Sequence, residues 1–448
     1  MTNLQSLLGQ RVTAALSRPL PALTRRDVRL PQVPGKALAV IGVRRAGKTS
    51  FMWQCLADRL AAGRPREALV LLGLEDDRLA GLTVADLDWA IELIRTRMTA
   101  AGVTAPLTLC LDEVQVVPGW ERLARRLVDE GDVELLLSGS SAKLLSREVA
   151  TALRGRGLEA LVHPFSFRES LRHAGVEPAS DVRDLAVPER AELGVRLERY
   201  LVEGGFPEAQ GLNAADRAQL LTSYVDVVVL RDVIERHAVS NPQALRWLQR
   251  QLLGNAGGSF SVQKMYGTLR SQGLPVAKDT LHEYLGHLED TFLVRTVPIH
   301  SRSPKRRMVN PRKAYPVDMG LIALYATTNE PETGHALETA VLLELERRGY
   351  SSAYVRTEDD HEVDFLASAP GRQPQLVQVA ASVRDPATLE REVRALAQAV
   401  NEHPKAEAVL VTMDAETPSV ELPRGVRWAG AAEWLLEMGE RRPSTATG

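Results

Sequence analysis

Cysteine is almost missing from this chain: Cys55 and Cys110 are the only two in 448 residues, and each sits in an apolar stretch. Two such residues exclude a disulfide framework or a thiolate metal cluster and read as small buried hydrophobes of a reducing compartment. No run approaches the roughly 18 consecutive apolar residues of a membrane span, and the start lacks the basic, then apolar pattern of a secretion signal. The sequence therefore reads as cytoplasmic, with no membrane partner. An excess of one charge is also absent, since 55 basic residues face 57 acidic ones for a net charge of −2. That balance gives no global pull toward nucleic acid and leaves any such role to a local patch. With 44% hydrophobic and 25% charged residues, what remains is an ordinary globular composition, long enough for about two or three domains.

The stretch Gly42 to Ser50, GVRRAGKTS, satisfies G-x-x-x-x-G-K-[ST] in full. At this spacing backbone N–H groups cradle phosphate, Lys48 reaches the β/γ-phosphates and Thr49 ligates Mg²⁺. Gly42, Arg44, Arg45, Ala46, Gly47 and Ser50 complete the expected nucleotide-contacting set. Context supports the motif: ALAVI before it suits a buried parallel strand, and FMWQCLADRLAAG after it has helical periodicity ended by Gly63. Ahead of that strand, an amphipathic pattern (Leu4, Leu7, Leu8, Val12, Leu16) leads into LSRPLPALTRRDVRLP. Arg25, Arg26 and Arg29 there could touch nucleotide or a neighbouring subunit, though charge runs are usually solvated faces.

A second buried strand is expected over Glu67 to Asp76 and a helix over Val84 to Ala101. PLTLCLDEVQ then runs an apolar strand into Asp112 and Glu113. In this pattern the Asp holds Mg²⁺ through water and the Glu polarises the attacking water. A helix, WERLARRLVDEG, precedes the strand VELLLSGSSAKLL. Ser138 at its end, with Ser140 and Ser141 behind it, could hydrogen-bond the γ-phosphate or the lytic water as a sensor; serines also simply turn chains. In LRGRG, Arg154 and Arg156 are candidate arginine fingers across a subunit contact, or solvated residues.

The order GVRRAGKTS, LCLDEVQ, LLSGSSAKLLSRE, LRGRG, HPFSFRES and EGGFPEA resembles the bacterial and archaeal AAA-type P-loop ATPases that carry a C-terminal PD-(D/E)XK-like domain. The resemblance implies an α/β fold: an AAA-type parallel sheet with a helical lid, followed by a winged-helix module and a nuclease-like α/β domain. Residues 1–160 are expected to form the nucleotide-binding domain (1–35 a lead-in), 161–255 the lid, 256–328 the winged helix and 329–440 the nuclease-like domain, with 441–448 a disordered tail. From about Leu158 to Asn255 strand signals fade and helical patterns dominate. FSVQKMYGTLRSQG and VAKDTLHEYLGHLEDTFLV then give the helix, turn, helix, strand order of a winged helix. After it Arg295, Arg302, Lys305, Arg306, Arg307, Arg312 and Lys313 follow with no acidic residue, a candidate contact for DNA or RNA phosphates. The acidity of the preceding helix (Asp279, Glu283, Glu289, Asp290) disfavours base readout in a groove.

In the nuclease fold it resembles, one carboxylate comes from the first helix, an Asp from the second strand and an E-x-K pair from the third. Glu338 and Asp364 match the first two, whereas Gln378 replaces the acid and Ala380 the lysine. Without that charge and that cation, metal-dependent hydrolysis is expected to fail. The whole reads as a Mg²⁺-dependent ATP-binding protein and ATPase whose nucleotide state controls the winged-helix and nuclease-like domains. Adenine over guanine rests on the resemblance and on the lack of an NKxD-type motif. The alternatives are a nucleotide-gated switch with little turnover, recruiting a protein or nucleic-acid partner, and a metal-dependent nuclease. A homo-oligomer follows if an arginine finger acts in trans.

Overall fold

A computed structural model describes residues 3–31, 33–139, 153, 155–301, 303, 305, 311–326, 333–382, 386–414 and 422–437. Ser140, Ser141, Arg154, Arg302, Arg306, Arg307 and the tail from 441 lie outside the described residues. The chain divides into two compact units, residues 1–163 with 290–292, and residues 164–289 with 293–448. No described helix is long and apolar enough to cross a membrane.

The first unit contains α1 (Asn3–Ser17), β1 (Ala37–Ile41), α2 (Lys48–Ala61), β2 (Leu69–Gly73), α3 (Val84–Ala100), β3 (Leu107–Asp112), α4 (Trp120–Glu130), β4 (Val133–Ser138) and β5 (Gly157–Leu161). Its sheet is wholly parallel, in the order β2-β3-β4-β1-β5. Every residue of β1 and β3 is buried, as continuous apolar strands between helical layers should be. α3 starts where Thr83 and Asp86 form a reciprocal capping box, which satisfies two amides that the helix itself leaves open. Register decides where the chemistry lies. Val40 of β1 pairs with Ser138, and Leu111 of β3 pairs with Leu137, so the carboxyl ends of β1, β3 and β4 are level.

β5 corrects the expectation that strand signals end near Leu158. GLEAL is short, at the sheet edge and only partly buried, so it carries almost no alternation. Its pairing with β1, from Ala37–Gly157 to Ile41–Leu161, makes it a strand.

The second unit opens with α5 (Phe167–His173), α6 (Val187–Glu203) and α7 (Ala214–Val227), the last continuing as a π-helical stretch over Val228–Glu235. Next come α8 (Pro242–Leu253), β6 (Ser259–Phe260), α9 (Val262–Ser271), α10 (Lys278–Asp290), β7 (Val294–Val297) and β8 (Arg312–Pro316). The three strands form an antiparallel sheet in the order β6-β8-β7. The remainder is α11 (Thr333–Arg347), β9 (Ser351–Arg356), β10 (Glu362–Ser368), β11 (Gln375–Ala380), α12 (Pro386–Glu402), β12 (Glu407–Thr412), β13 (Val426–Gly430) and α13 (Ala431–Leu436). Its mixed sheet runs β13-β12-β11-β10-β9, antiparallel from β9 to β11 and parallel from β11 to β13.

One hydrophobic core crosses the expected boundaries at 255 and 328. It joins Phe167, Leu197 and Tyr200 of α5 and α6 to Tyr315 of β8, Leu337 of α11 and Phe365 of β10. The EGGFPEA stretch belongs to this packing: a Cβ on Gly204 would overlap the Asp318 carboxylate, and one on Gly205 would lie 2.2 Å from the Phe165 carbonyl oxygen. Asp318 accepts the Gly205 and Gly320 N–H groups at 2.7 and 2.9 Å, although burial still pushes its carboxyl up to about 6.

Cys55 in α2 and Cys110 in β3 are free and buried. Burial first, with Asp58 and Glu134 adding to it, pushes the Cys55 thiol up to about 12, and burial raises Cys110 as well. Both thiols stay protonated and inert at neutral pH. A disulfide reagent such as Ellman's is expected to label neither in the native protein and both after denaturation; native labelling would contradict the packing of α2 against the sheet.

Candidate functional site

The loop between β1 and α2 has the backbone its sequence requires. Gly42 has φ 148°, and a Cβ there would stand 2.1 Å from the Val162 carbonyl oxygen, so no side chain fits. Gly47 is left-handed (φ 95°) at the head of α2, with no side-chain cap on the helix. Backbone N–H groups at such a helix start point to where a phosphate oxygen binds. Lys48 is buried and donates to the Gly42 and Val43 carbonyls at 3.1 and 3.2 Å. Arg44 lies 3.8 Å from Glu75, Arg45 is exposed with φ 65°, Ala46 is buried and Ser50 is half-buried.

Arg26 departs from its reading as a solvated residue. It is 4% exposed, donates to the Ala46 carbonyl at 2.8 Å and the His163 carbonyl at 2.5 Å, and exchanges backbone hydrogen bonds with the Gln54 amide at 2.6 and 3.0 Å. It braces the loop from behind. Arg25, on the exposed side, pairs with Asp58 at 2.6 Å.

The three strand ends meet at Asp112. Thr49 Oγ1 donates to Asp112 Oδ2 at 2.6 Å, Ser138 Oγ donates to Asp112 Oδ1, and the Glu113 N–H donates to Ser138 Oγ at 3.3 Å. A hydroxyl and a carboxylate in direct contact, hard oxygen donors both, fit Mg²⁺. Ser138 is fully buried and holds Asp112 and the Glu113 amide, so any response of this residue to the phosphate would pass through Asp112. Glu113 has φ 59° and its carboxylate accepts from Gln115 Nε2 at 2.5 Å. Nothing in the sequence singled out Gln115, two residues beyond the acidic pair, as a partner of Glu113. Arg156 lies just before β5, beside the amino end of β1, and pairs with Asp129 of α4. That is the far edge of the sheet from the loop, about 16 Å away along five strand residues.

In the nuclease-like pocket one expectation changes, that no cation is present. Glu338, Asp364 and Gln378 are all buried, and among the described residues no group of three or more His, Cys, Asp or Glu is arranged to hold a metal ion. Lys313, expected on a nucleic-acid-binding wing, is 4% exposed. Its Nζ stands 3.1 Å from Glu338, 2.9 Å from Glu362 and 3.0 Å from Asp364. The pocket therefore has a cation, contrary to the expectation that losing the E-x-K lysine removed it. Burial alone would lower the Lys313 ammonium, but Asp364, Glu338 and Glu362 outweigh it and hold it above the usual lysine range. Burial, then the neighbouring Asp364, push the Glu338 carboxyl up. Arg295 also turns inward, to Glu346 at 3.0 Å, and Arg312 is half-buried, 3.4 Å from Thr296 Oγ1. Of the proposed basic patch, Lys305 is described and exposed.

Residues 34–171 match the model of an AAA domain, residues 195–332 a domain of unknown function (DUF8612), and residues 331–421 a restriction endonuclease domain. The chain is 30% identical over 383 residues to the uncharacterized protein MJ1544 of Methanocaldococcus jannaschii, covering 84% of this chain and 81% of that one. It is 29% identical over 328 residues to an uncharacterized protein of Haemophilus influenzae, covering 73% and 78%. The Walker-type ATPase paby2304 of Pyrococcus abyssi aligns over 72% of this chain and 95% of its own at 15% identity, with a TM-score of 0.40, too loose a likeness to argue from.

Ser138→Ala removes the donor to Asp112 and the acceptor for the Glu113 amide. Loss of such a supporting partner typically lowers metal affinity or activity about 10–100-fold. The expected outcome is a rise of that order in the Mg²⁺ concentration needed for nucleotide turnover, read from Mg²⁺ titrations of phosphate release; an unchanged titration would show that Asp112 needs no such support.

Proposed function

Because the chain belongs to the family of the M. jannaschii protein MJ1544, and joins an AAA-type P-loop domain to a PD-(D/E)XK-like restriction-endonuclease domain, we propose that it is a Mg²⁺-dependent ATPase whose nucleotide state acts on its second unit. The contact of Thr49 with Asp112, with Glu113 held beside them by Ser138 and Gln115, carries this reading. Thr49 and Asp112 would hold Mg²⁺, which supplies charge neutralisation on the phosphates when bound. The amides at the head of α2 and the Lys48 ammonium bind the phosphate oxygens. The Glu113 carboxylate, oriented by Gln115, takes the proton of the attacking water or orients that water. Adenine is preferred on the family and on the absence of a guanine-reading motif. The cytoplasm suits two buried free thiols.

The helix, strand, helix, helix, strand, strand order from α8 to β8, with the sheet order β6-β8-β7, supports reading this part as a winged helix. Lys305, with Arg302, Arg306 and Arg307 beside it in the sequence, offers nucleic-acid phosphates a sequence-independent contact. Lys313 is not part of it. Assembly with a second copy would be required for Arg154 or Arg156 to serve as a finger.

Glu113→Gln is expected to lower ATP-derived phosphate release by about 10²- to 10⁴-fold, the usual contribution of a positioned base, while fluorescent-nucleotide binding persists; Lys48→Ala should lose the binding. Release unchanged by Glu113→Gln sinks the hydrolytic assignment. A wild-type protein that binds tightly but releases no phosphate, with single-stranded DNA, duplex DNA or RNA present, is a nucleotide-gated switch.

A further inference from the structure

The second unit contains a charge cluster that nucleotide hydrolysis does not use. β8 carries Lys313 and Tyr315 two residues apart, and therefore on one side of the strand. Both reach Glu338 Oε1, Lys313 Nζ at 3.1 Å and the Tyr315 hydroxyl at 2.5 Å. We propose that the Lys313 ammonium is the resident cation of the nuclease-like pocket, held on the carboxylates that would otherwise ligate a divalent metal, so that the pocket takes no metal while β8 is seated.

The ammonium donates hydrogen bonds to Glu338 and Asp364 at 3.1 and 3.0 Å and forms an ion pair with Glu362 at 2.9 Å. Three carboxylates thus neutralise the ammonium and engage its donors, so it is not presented to an external phosphate. The acids are committed elsewhere too. Asp364 Oδ2 accepts the Val379 N–H at 3.0 Å, and Glu338 Oε1 accepts Tyr315 as well as Lys313. Gln378, at the third position, is tied at both ends: its oxygen accepts the Asp364 N–H at 3.3 Å and its nitrogen donates to Glu392 Oε2 at 2.6 Å. Mg²⁺ needs near-octahedral oxygens at about 2.0–2.1 Å. Bound to the oxygens that Lys313 now holds, it would have to displace the ammonium from them, because two cations on the same oxygens repel.

The test uses the full-length, nucleotide-free protein and Mn²⁺, followed by electron paramagnetic resonance. The wild type and Asp364→Asn are expected to bind Mn²⁺ alike, because no metal at Asp364 is there to lose. Lys313→Ala, folded by circular dichroism, is expected to gain a site roughly tenfold or more tighter than anything in the wild type, and Lys313→Ala with Asp364→Asn to lose it. The proposal is overturned if the wild type shows an Asp364-dependent Mn²⁺ site, or if folded Lys313→Ala gains none. It is equally overturned if the wild type cleaves DNA or RNA with Mn²⁺ and Lys313→Ala abolishes cleavage, which would make Lys313 the lysine of a working nuclease. Should Lys313→Ala not fold, the comparison of wild type with Asp364→Asn decides alone.

Discussion

A carboxylate taken out of water must be met by donors, and in this chain the donors arrive from elements far away in sequence. Asp112 is met by Thr49, 63 residues before it, and by Ser138, 26 residues after it. Asp318 is met by two glycine amides, one of them 113 residues away. Glu338 and Asp364 are met by Lys313, 25 and 51 residues earlier. Each centre fixes the ends of several elements at once. At the Lys313 centre, the ion pair among the three, removing one partner costs about 3–5 kcal/mol, more than an exposed contact contributes, because a charge is left behind without compensation.

In the first unit this constraint and the sheet order reach the same result. β1 lies beside β4, and β4 beside β3, so the loop after β1, the acid after β3 and the serine ending β4 are neighbours although the chain visits α2, β2 and α3 in between. A parallel sheet puts all its carboxyl ends on one edge, and in open α/β sheets that edge is where ligands bind. Arg156 shows the converse. Arriving before β5, it is set at the opposite edge.

Much of this was legible because its signals are local. The apolar runs gave β1, β3 and β4; the loop glycines gave a backbone no other residue can adopt at Gly42; and the acidic pair followed its strand directly. What could not be read depends on pairing. β5 has no pattern of its own and is a strand only beside β1. Arg26 looked like one more charge in a basic lead-in, yet its two carbonyl partners, at Ala46 and His163, are set by the loop and by the exit of β5. Lys313 stood in a run of seven basic residues without an acid, the pattern of a solvated patch. The one local clue was Tyr315 two positions on: a strand that turns a tyrosine into the core turns the lysine two residues before it the same way.

The location of that lysine changes what the second unit can be. A metal ion leaves a pocket when it is chelated or outcompeted, whereas an ammonium carried on β8 stays tethered to the chain and can withdraw only as far as its side chain or its strand allows. β8 is also the central strand of the small β6-β8-β7 sheet, and Tyr315 on it belongs to the core shared by α5, α6 and the mixed sheet. The charge balance around Glu338 and Asp364 is therefore tied to the seating of a strand, and that strand is packed against the same helices that open the unit. A displacement of those helices would reach the pocket as a geometric change. Withdrawing the ammonium would leave the buried carboxylates of Glu338 and Asp364 beside the partly exposed Glu362 without their cation, a repulsion that protonation, a divalent ion or the return of the lysine relieves.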